Sequence, residues 1–204
     1  MGFPTDDWHP VSVPATVFAG LVANGEYPEP YYGDNLFQGD SSWIPLSSWW
    51  YRTEFVLADD FGPALFLALD GINYRANVWL NGMQVANADE VVGTFTAYEW
   101  DVSRLVHAGA NALAIEVLPP DLQNDLALSW FDWNPAPPDL DMGIWQSVYL
   151  KESRAVALRD VHVTSALNEG GSSAELAIEA WLVNTTFRRR ARDRDGEDRE
   201  GGRG

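Results

Sequence analysis

Between residues 49 and 118 apolar and polar side chains alternate in short runs, and a period of two predicts β-strands. Trp50 to Leu57 sets Tyr51, Thr53, Phe55 and Leu57 on one face and Arg52 and Glu54 on the other, the pattern of a half-buried strand. Ala64 to Leu69 is apolar throughout, which predicts a strand covered on both faces. Arg75 to Asn81 alternates through Ala76, Val78 and Leu80 and ends in Asn81-Gly82, residues that tolerate the positive φ angles of a type I′ hairpin turn. Met83 to Ala86 is the returning strand. Thr94 to Trp100, Asn111 to Leu118 and Ile144 to Leu150 extend the series, and Asp101 starts one short helical turn through Val106.

Short strands at this spacing, with no long amphipathic helix between them, predict an all-β sandwich or jelly roll. Residues 1–49 read as loop, because Pro4, Pro10, Pro14, Pro28, Pro30 and Pro45 block long helices and central strands. The connection from Pro119 to Gly143 carries Pro119, Pro120, Pro135, Pro137 and Pro138; a loop of that length is uncommon and points to function. Ala155 to Ser165 and Ala174 to Val183, joined by a turn at Asn168-Glu-Gly-Gly171, read as the opening strands of a second sandwich. From residue 187 the chain is Phe187 followed by Arg, Asp, Glu and Gly with one alanine, a composition that buries no core and predicts disorder. GC-rich DNA read out of frame yields the same residue set. The expected division is therefore a sandwich over 1–152, an incomplete second domain over 153–186 and a tail over 187–204.

Charge and composition narrow the functional classes. The formal net charge is −17, and seven of the 13 basic side chains sit in the tail. The body is thus strongly acidic, which disfavours binding to phosphate backbones and argues against a nucleic-acid partner. There is no cysteine, so disulfides and thiolate metal sites are excluded and no metal or cofactor is expected. No apolar run reaches membrane-span length, and the first ten residues carry no apolar signal core, which leaves the compartment open. Ten tryptophans are an unusual load. Most are expected in the core, and a few on a surface where indole faces meet the C–H faces of sugar rings.

Four ordered stretches then carry a family resemblance. Gly71-Ile-Asn-Tyr-Arg-Ala-Asn-Val-Trp-Leu-Asn-Gly-Met-Gln-Val-Ala86 resembles the central hairpin of the sugar-binding domain of family 2 glycoside hydrolases. Gly93-Thr-Phe95, Asp101-Val-Ser103 with Gly109-Ala-Asn111-Ala-Leu113, and Gly143-Ile-Trp145-Gln-Ser-Val-Tyr-Leu150 follow in the family's order. Val13-Pro-Ala-Thr-Val17, Gly25 to Gly33, Trp49-Trp-Tyr-Arg52 and Asp132 to Gly143 are similar to the exo-β-glucosaminidase and endo-β-mannosidase branches. One departure is Val91-Val92, where the family often has a histidine before the Gly-x-Phe strand.

The resemblance implies a galactose-binding-domain-like jelly-roll sandwich and, over 153–186, the start of an immunoglobulin-like domain. Retaining glycosidases need two carboxyl groups about 5–5.5 Å apart. In this family both are glutamates of a (β/α)8 barrel that follows the sandwiches, and nothing here has its alternating βα pattern. No catalytic residue is therefore expected in this chain, and the barrel of its own enzyme is an expected partner. The implied contribution is a loop over the barrel mouth, with Asp132, Trp133 and Asn134 touching the terminal sugar of a β-glucosaminide or β-mannoside. Trp130, Asp139 and Asp141 are weaker candidates. Two other readings stay open, a free-standing carbohydrate-binding module and a structural sandwich without ligand.

Overall fold

A computed structural model describes residues 4–126 and 135–185. The chain packs as two units, Met1–Glu152 and Ser153–Gly204. In order, the first contains β1 (Ala15–Thr16), helix α1 (Val17–Ala23), β2 (Trp49–Leu57), β3 (Ala64–Leu69), β4 (Arg75–Leu80) and β5 (Met83–Ala86). There follow β6 (Tyr98–Asp101), β7 (Gly109–Leu118), β8 (Gly143–Ile144) and β9 (Val148–Ser153). One sheet has the order β2-β7-β4-β5 and the other β6-β3-β9, with β1 and β8 paired apart from both.

Alternation explains how the sandwich closes. Ala76, Val78 and Leu80 of β4 are wholly buried, and β7 turns Leu113, Ile115 and Val117 to the same side. They share one apolar cluster with Leu65, Leu67 and Leu69 of β3. Strand β3 is buried at all six positions, as its unbroken apolar run requires of the central strand in its sheet. At the β4–β5 turn Asn81 and Gly82 have φ of 52° and 80°, the left-handed pair of a type I′ hairpin.

Three local expectations need correction. Residues 15–23 are not all loop, because α1 fits into the proline-free interval after Pro14, with Thr16 capping the Ala19 N–H at 3.2 Å. Thr94 to Trp100 is a strand only from Tyr98, because Gly93 at φ 111° opens a turn that diverts Thr94 and Phe95. Ile144 to Leu150 breaks into β8 and β9. Between them the Trp145 indole donates to the Thr94 carbonyl at 3.0 Å and lies where a Cβ on Gly71 would sit 2.9 Å from it.

The strand ends are tied by a buried amide pair. Asn111 is inaccessible to solvent; its Nδ2 donates to the His107 and Gly109 carbonyls at 2.8 and 3.0 Å. Its Oδ1 accepts from the His107 N–H at 3.1 Å and from Asn81 Nδ2 at 2.8 Å. Asn81 in turn donates to Leu105 O at 2.8 Å and accepts from the Ala112 N–H at 2.9 Å. Every donor and acceptor of Asn111 is matched, so its burial is tolerated.

In the second unit β10 (Val156–Leu167) pairs antiparallel with β11 (Ala174–Asn184) through the turn that follows Leu167. Leu158 faces Leu182 and Val163 faces Ile178, yet these side chains are 53–70% exposed. An isolated two-stranded ribbon is marginally stable in water. The half-buried β7, paired on both edges, and the exposed ribbon should therefore separate in hydrogen exchange: amides of β10 and β11 are expected to exchange at least about a hundredfold faster than those of β7. Equal protection would mean that the ribbon is covered. A second expected outcome concerns the amide pair. Asn111→Ala should lower stability by on the order of 3 kcal/mol in urea titration, because it strands several buried partners. Asn81→Gly, which keeps the backbone conformation, should cost less.

Candidate functional site

The long Pro119–Gly143 connection is held at both described ends by one buried polar knot. Asn73, inaccessible to solvent, donates through Nδ2 to the carbonyls of Leu140 and Asp141, both at 3.0 Å. Its backbone exchanges hydrogen bonds with Gly143 at 3.0 and 3.2 Å. The hydroxyl of Thr94, 1% exposed, lies 2.8 Å from Asn73 Oδ1 and 3.0 Å from the Leu126 carbonyl, and shares its single proton between them. Leu126 is the last described residue before the interval 127–134, and Leu140 and Asp141 lie in the turn after it. One amide and one hydroxyl thus hold the exit and the return of the connection together.

Further bonds fix each flank. On the outgoing side Arg75 of β4 forms an ion pair with Asp125 at 2.7 Å, the aspartate side chain being 2% exposed. Asp125 Oδ2 also accepts from the Asp121 N–H at 2.9 Å, which folds residues 121–125 into a compact turn. On the returning side Leu140 and Asp141 both have φ of 54°, a left-handed pair whose successive carbonyls meet the single Asn73 amide. Gly143 follows where β8 crosses β1; a Cβ there would lie 2.6 Å from the Ala15 carbonyl oxygen, so only glycine fits.

Asp139 binds this turn to α1. It is 1% exposed, and its Oδ2 accepts from the Phe18 N–H at 2.6 Å while Oδ1 accepts from the Asp141 N–H at 3.0 Å. The Met142 carbonyl takes the Val17 N–H at 2.8 Å. The first amides of α1, which have no partner within the helix, are thereby satisfied from the loop. Burial raises the pKa of Asp139 above the usual carboxylate range, against the hydrogen bonds from Phe18, Thr16 and Asp141 that lower it. Asp141 is pushed up to about 6, by burial first and then by the charge of Asp139. Tyr51 of β2 is raised by burial and by the same charge.

Of the residues singled out in the sequence, Trp130, Asp132, Trp133 and Asn134 lie outside the described residues. Asp139 and Asp141 share one turn, and the Asp139 carboxylate is taken up by protein donors. Asn73 and Thr94 were quoted above only as letters of family motifs. The readable signal is an asparagine between Ile72 and Tyr74 at the entry to β4. Of the pair Val91-Val92, Val91 is fully buried in the core cluster. Among the described residues no three His, Cys, Asp or Glu side chains group as a metal site, and no helix is long and apolar enough to cross a membrane.

Comparison with known proteins agrees with this architecture. The profile of the family described as "Glycosyl hydrolase 2 galactose-binding domain-like" matches residues 3–126. An exo-beta-D-glucosaminidase of Amycolatopsis orientalis is 41% identical over 183 residues, which is 90% of this chain and 18% of the relative. A Streptomyces avermitilis protein of the same name is 36% identical over 188 residues, covering 90% of this chain and 20% of the relative. The crystal structure of the Amycolatopsis orientalis exo-chitosanase CsxA superposes with a TM-score of 0.83 at 40% identity, over 90% of this chain and 21% of that one. The chain spans about a fifth of the length of these relatives. Profile, sequence relatives and superposition agree with the sandwich and its motifs, and the chain belongs to the family 2 glycoside hydrolases, matching their amino-terminal galactose-binding-like domain.

Proposed function

We propose that this sandwich serves a family 2 exo-β-D-glucosaminidase by presenting Asp132, Trp133 and Asn134 to the terminal sugar of a β-glucosaminide. The observation that carries the reading is the Asn73–Thr94 knot, which fixes both flanks of the interval containing these three residues. A contact loop must be preorganised by its supports if binding is not to be spent on ordering it. An aspartate accepts hydrogen bonds from sugar hydroxyls or from a glucosamine ammonium, and an indole packs on the pyranose face. The two carboxyl groups of the chemical step belong to a barrel domain, and the sandwich acts with it as its partner. The strands of 153–186 fit the opening of an immunoglobulin-like domain between the two.

A chimera tests this directly. Residues 1–185 replace the corresponding part of the Amycolatopsis orientalis exo-β-D-glucosaminidase, and hydrolysis of a β-glucosaminide and a β-mannoside is followed. The chimera is expected to prefer the glucosaminide. Asp132→Ala and Trp133→Ala should each lower kcat/KM by about 10–100-fold, the loss of one or two charge-assisted hydrogen bonds or a ring contact. A folded chimera indifferent to both substitutions would sink the contact-loop reading, and preference for the mannoside would redirect the substrate.

The return turn should also respond to pH. Asp141 has its folded value raised to about 6, whereas an unfolded aspartate titrates near about 3.9. Between these values the native chain holds a proton that the unfolded chain has lost, so stability falls as pH rises from about 4 to about 6. Asp141→Asn carries no charge in either state, and asparagine accepts the left-handed conformation. In urea titrations the variant should gain on the parent between pH of about 4.5 and about 7; parallel curves would remove Asp141 as the source. Asp139, raised in the same direction, remains in both proteins.

A further inference from the structure

A trough runs along α1, whose first turn also meets the loop anchors, and is formed by two adjoining cavities of about 510 and 240 Å³ that share His9, Leu21 and Trp49. The larger reaches Tyr27 and Trp43, the smaller Trp8 and Trp50. Volumes of this size fall in the range of ligand sites, about 300–1,000 Å³ for the pair together. Four of the ten tryptophans therefore gather in one depression although their positions are scattered through the first 50 residues.

The rings at its centre are held in place by their polar atoms. Trp49 Nε1 donates to the Ile44 carbonyl at 3.0 Å, and Trp43 Nε1 donates to the Asp40 carbonyl at 3.0 Å. The Tyr27 hydroxyl donates to the same carbonyl at 2.8 Å. Trp43 and Trp49 pack on each other, their ring centroids 5.5 Å apart and tilted by 35°, and Trp43 remains 46% exposed. With their N–H and O–H groups engaged by backbone carbonyls, these rings are held in a fixed orientation in the cavity wall, beside the polar side chains of His9, Glu26, Gln38 and Asp40.

Carboxylates stand around that surface. Glu26 lies 4.0 Å from His9, and Asp40 is held ionised below the usual carboxylate range by the Ser42 hydroxyl and N–H. Asp7 borders the smaller cavity, and no lysine or arginine lines either one. Flat aromatic faces with acids at the rim suit a ring that is apolar on its faces and cationic at its edge.

We propose that this trough is a second saccharide site, which takes a chain of β-linked glucosamine with one sugar against the Trp43–Trp49 pair and a neighbouring sugar against Trp8 and Trp50. The choice of an amino sugar rests on the substrate class proposed above; the place of the site does not. The site lies on this sandwich alone, so it needs no barrel. It would hold polymer while the terminal sugar is processed elsewhere.

The 204-residue chain, labelled with ¹⁵N, is titrated with a fully deacetylated glucosamine tetramer and in parallel with cellotetraose. The indole N–H signals of Trp43 and Trp49 are expected to shift with the glucosamine tetramer. Trp43→Ala should weaken binding by about tenfold or more, and Glu26→Gln by about threefold. Trp181→Ala, in the ribbon, should leave it unchanged. No indole shift at millimolar tetramer, or undiminished affinity in a folded Trp43→Ala, overturns the site. Equal affinity for cellotetraose overturns the amino-sugar preference. Affinity lost in Trp133→Ala and kept in Trp43→Ala would support the loop and overturn the trough, whereas the reverse pattern leaves the trough standing whatever the chimera does.

Discussion

The buried side-chain amide of Asn73 is the constraint around which the functional end of the sandwich is organised. A primary amide without water needs two acceptors and a donor, and each missing partner costs about 1–3 kcal/mol. Asn73 finds its acceptors in two successive carbonyls of a loop that lies far along the chain, and its donor in Thr94. The loop can therefore leave this position only by stranding a buried polar group. A hydrophobic side chain at the same place would fill the space and leave the loop free to drift. The polar choice converts a long connection into one with fixed ends.

Fixing those ends draws in charges that burial would otherwise oppose. Asp139 stays folded inside because it completes the first turn of α1, and it exacts its own cost from Asp141 and Tyr51, whose ionisation it opposes. The Arg75–Asp125 pair acts on the other flank, with the carboxylate buried and the guanidinium partly in solvent. Removing one partner of such a pair leaves a buried charge, which is more damaging than the net worth of the pair suggests. Helix, sheet and loop are in this way joined by polar bonds at one end, while the apolar cluster of β3, β4 and β7 holds the sheets together behind them.

The tryptophans divide by how their indole N–H groups are used. Trp145 gives its proton to the Thr94 carbonyl and so supports the knot from outside. Trp50 and Trp79 stack at 5.1 Å across β7, over the small side chain of Ala114 that pairs with both Arg52 and Trp79. Trp43 and Trp49 tie their N–H groups to the backbone of residues 40–44 and keep their faces for the trough. A residue type that reads from the sequence as core material is thus used for at least three purposes, told apart by the partner of the indole proton or of the ring face.

Local pattern determined much of this protein. Period-two alternation set β2, β4 and β7, the unbroken run set β3 as a strand covered on both faces, and Asn81-Gly82 set the hairpin, because each depends on neighbours one to four residues away. The ordered family motifs carried the jelly roll and the sugar-binding lineage for the same reason. Proline density hid α1, because it was counted over a stretch much longer than the proline-free interval the helix occupies. The break between β8 and β9, the role of Asn73 and the burial of Asp139 depend on residues 51 to 121 positions away, and no local pattern encodes such a partner. The trough belongs to the same class: its rings share no period, and only the packing of the first 50 residues against α1 brings them to one wall. Local sterics and burial determined most of the strands from the sequence by itself; only tertiary structure decided which polar atoms meet and where β6, β8 and β9 begin and end, since a buried hydrogen bond is defined by its distant partner.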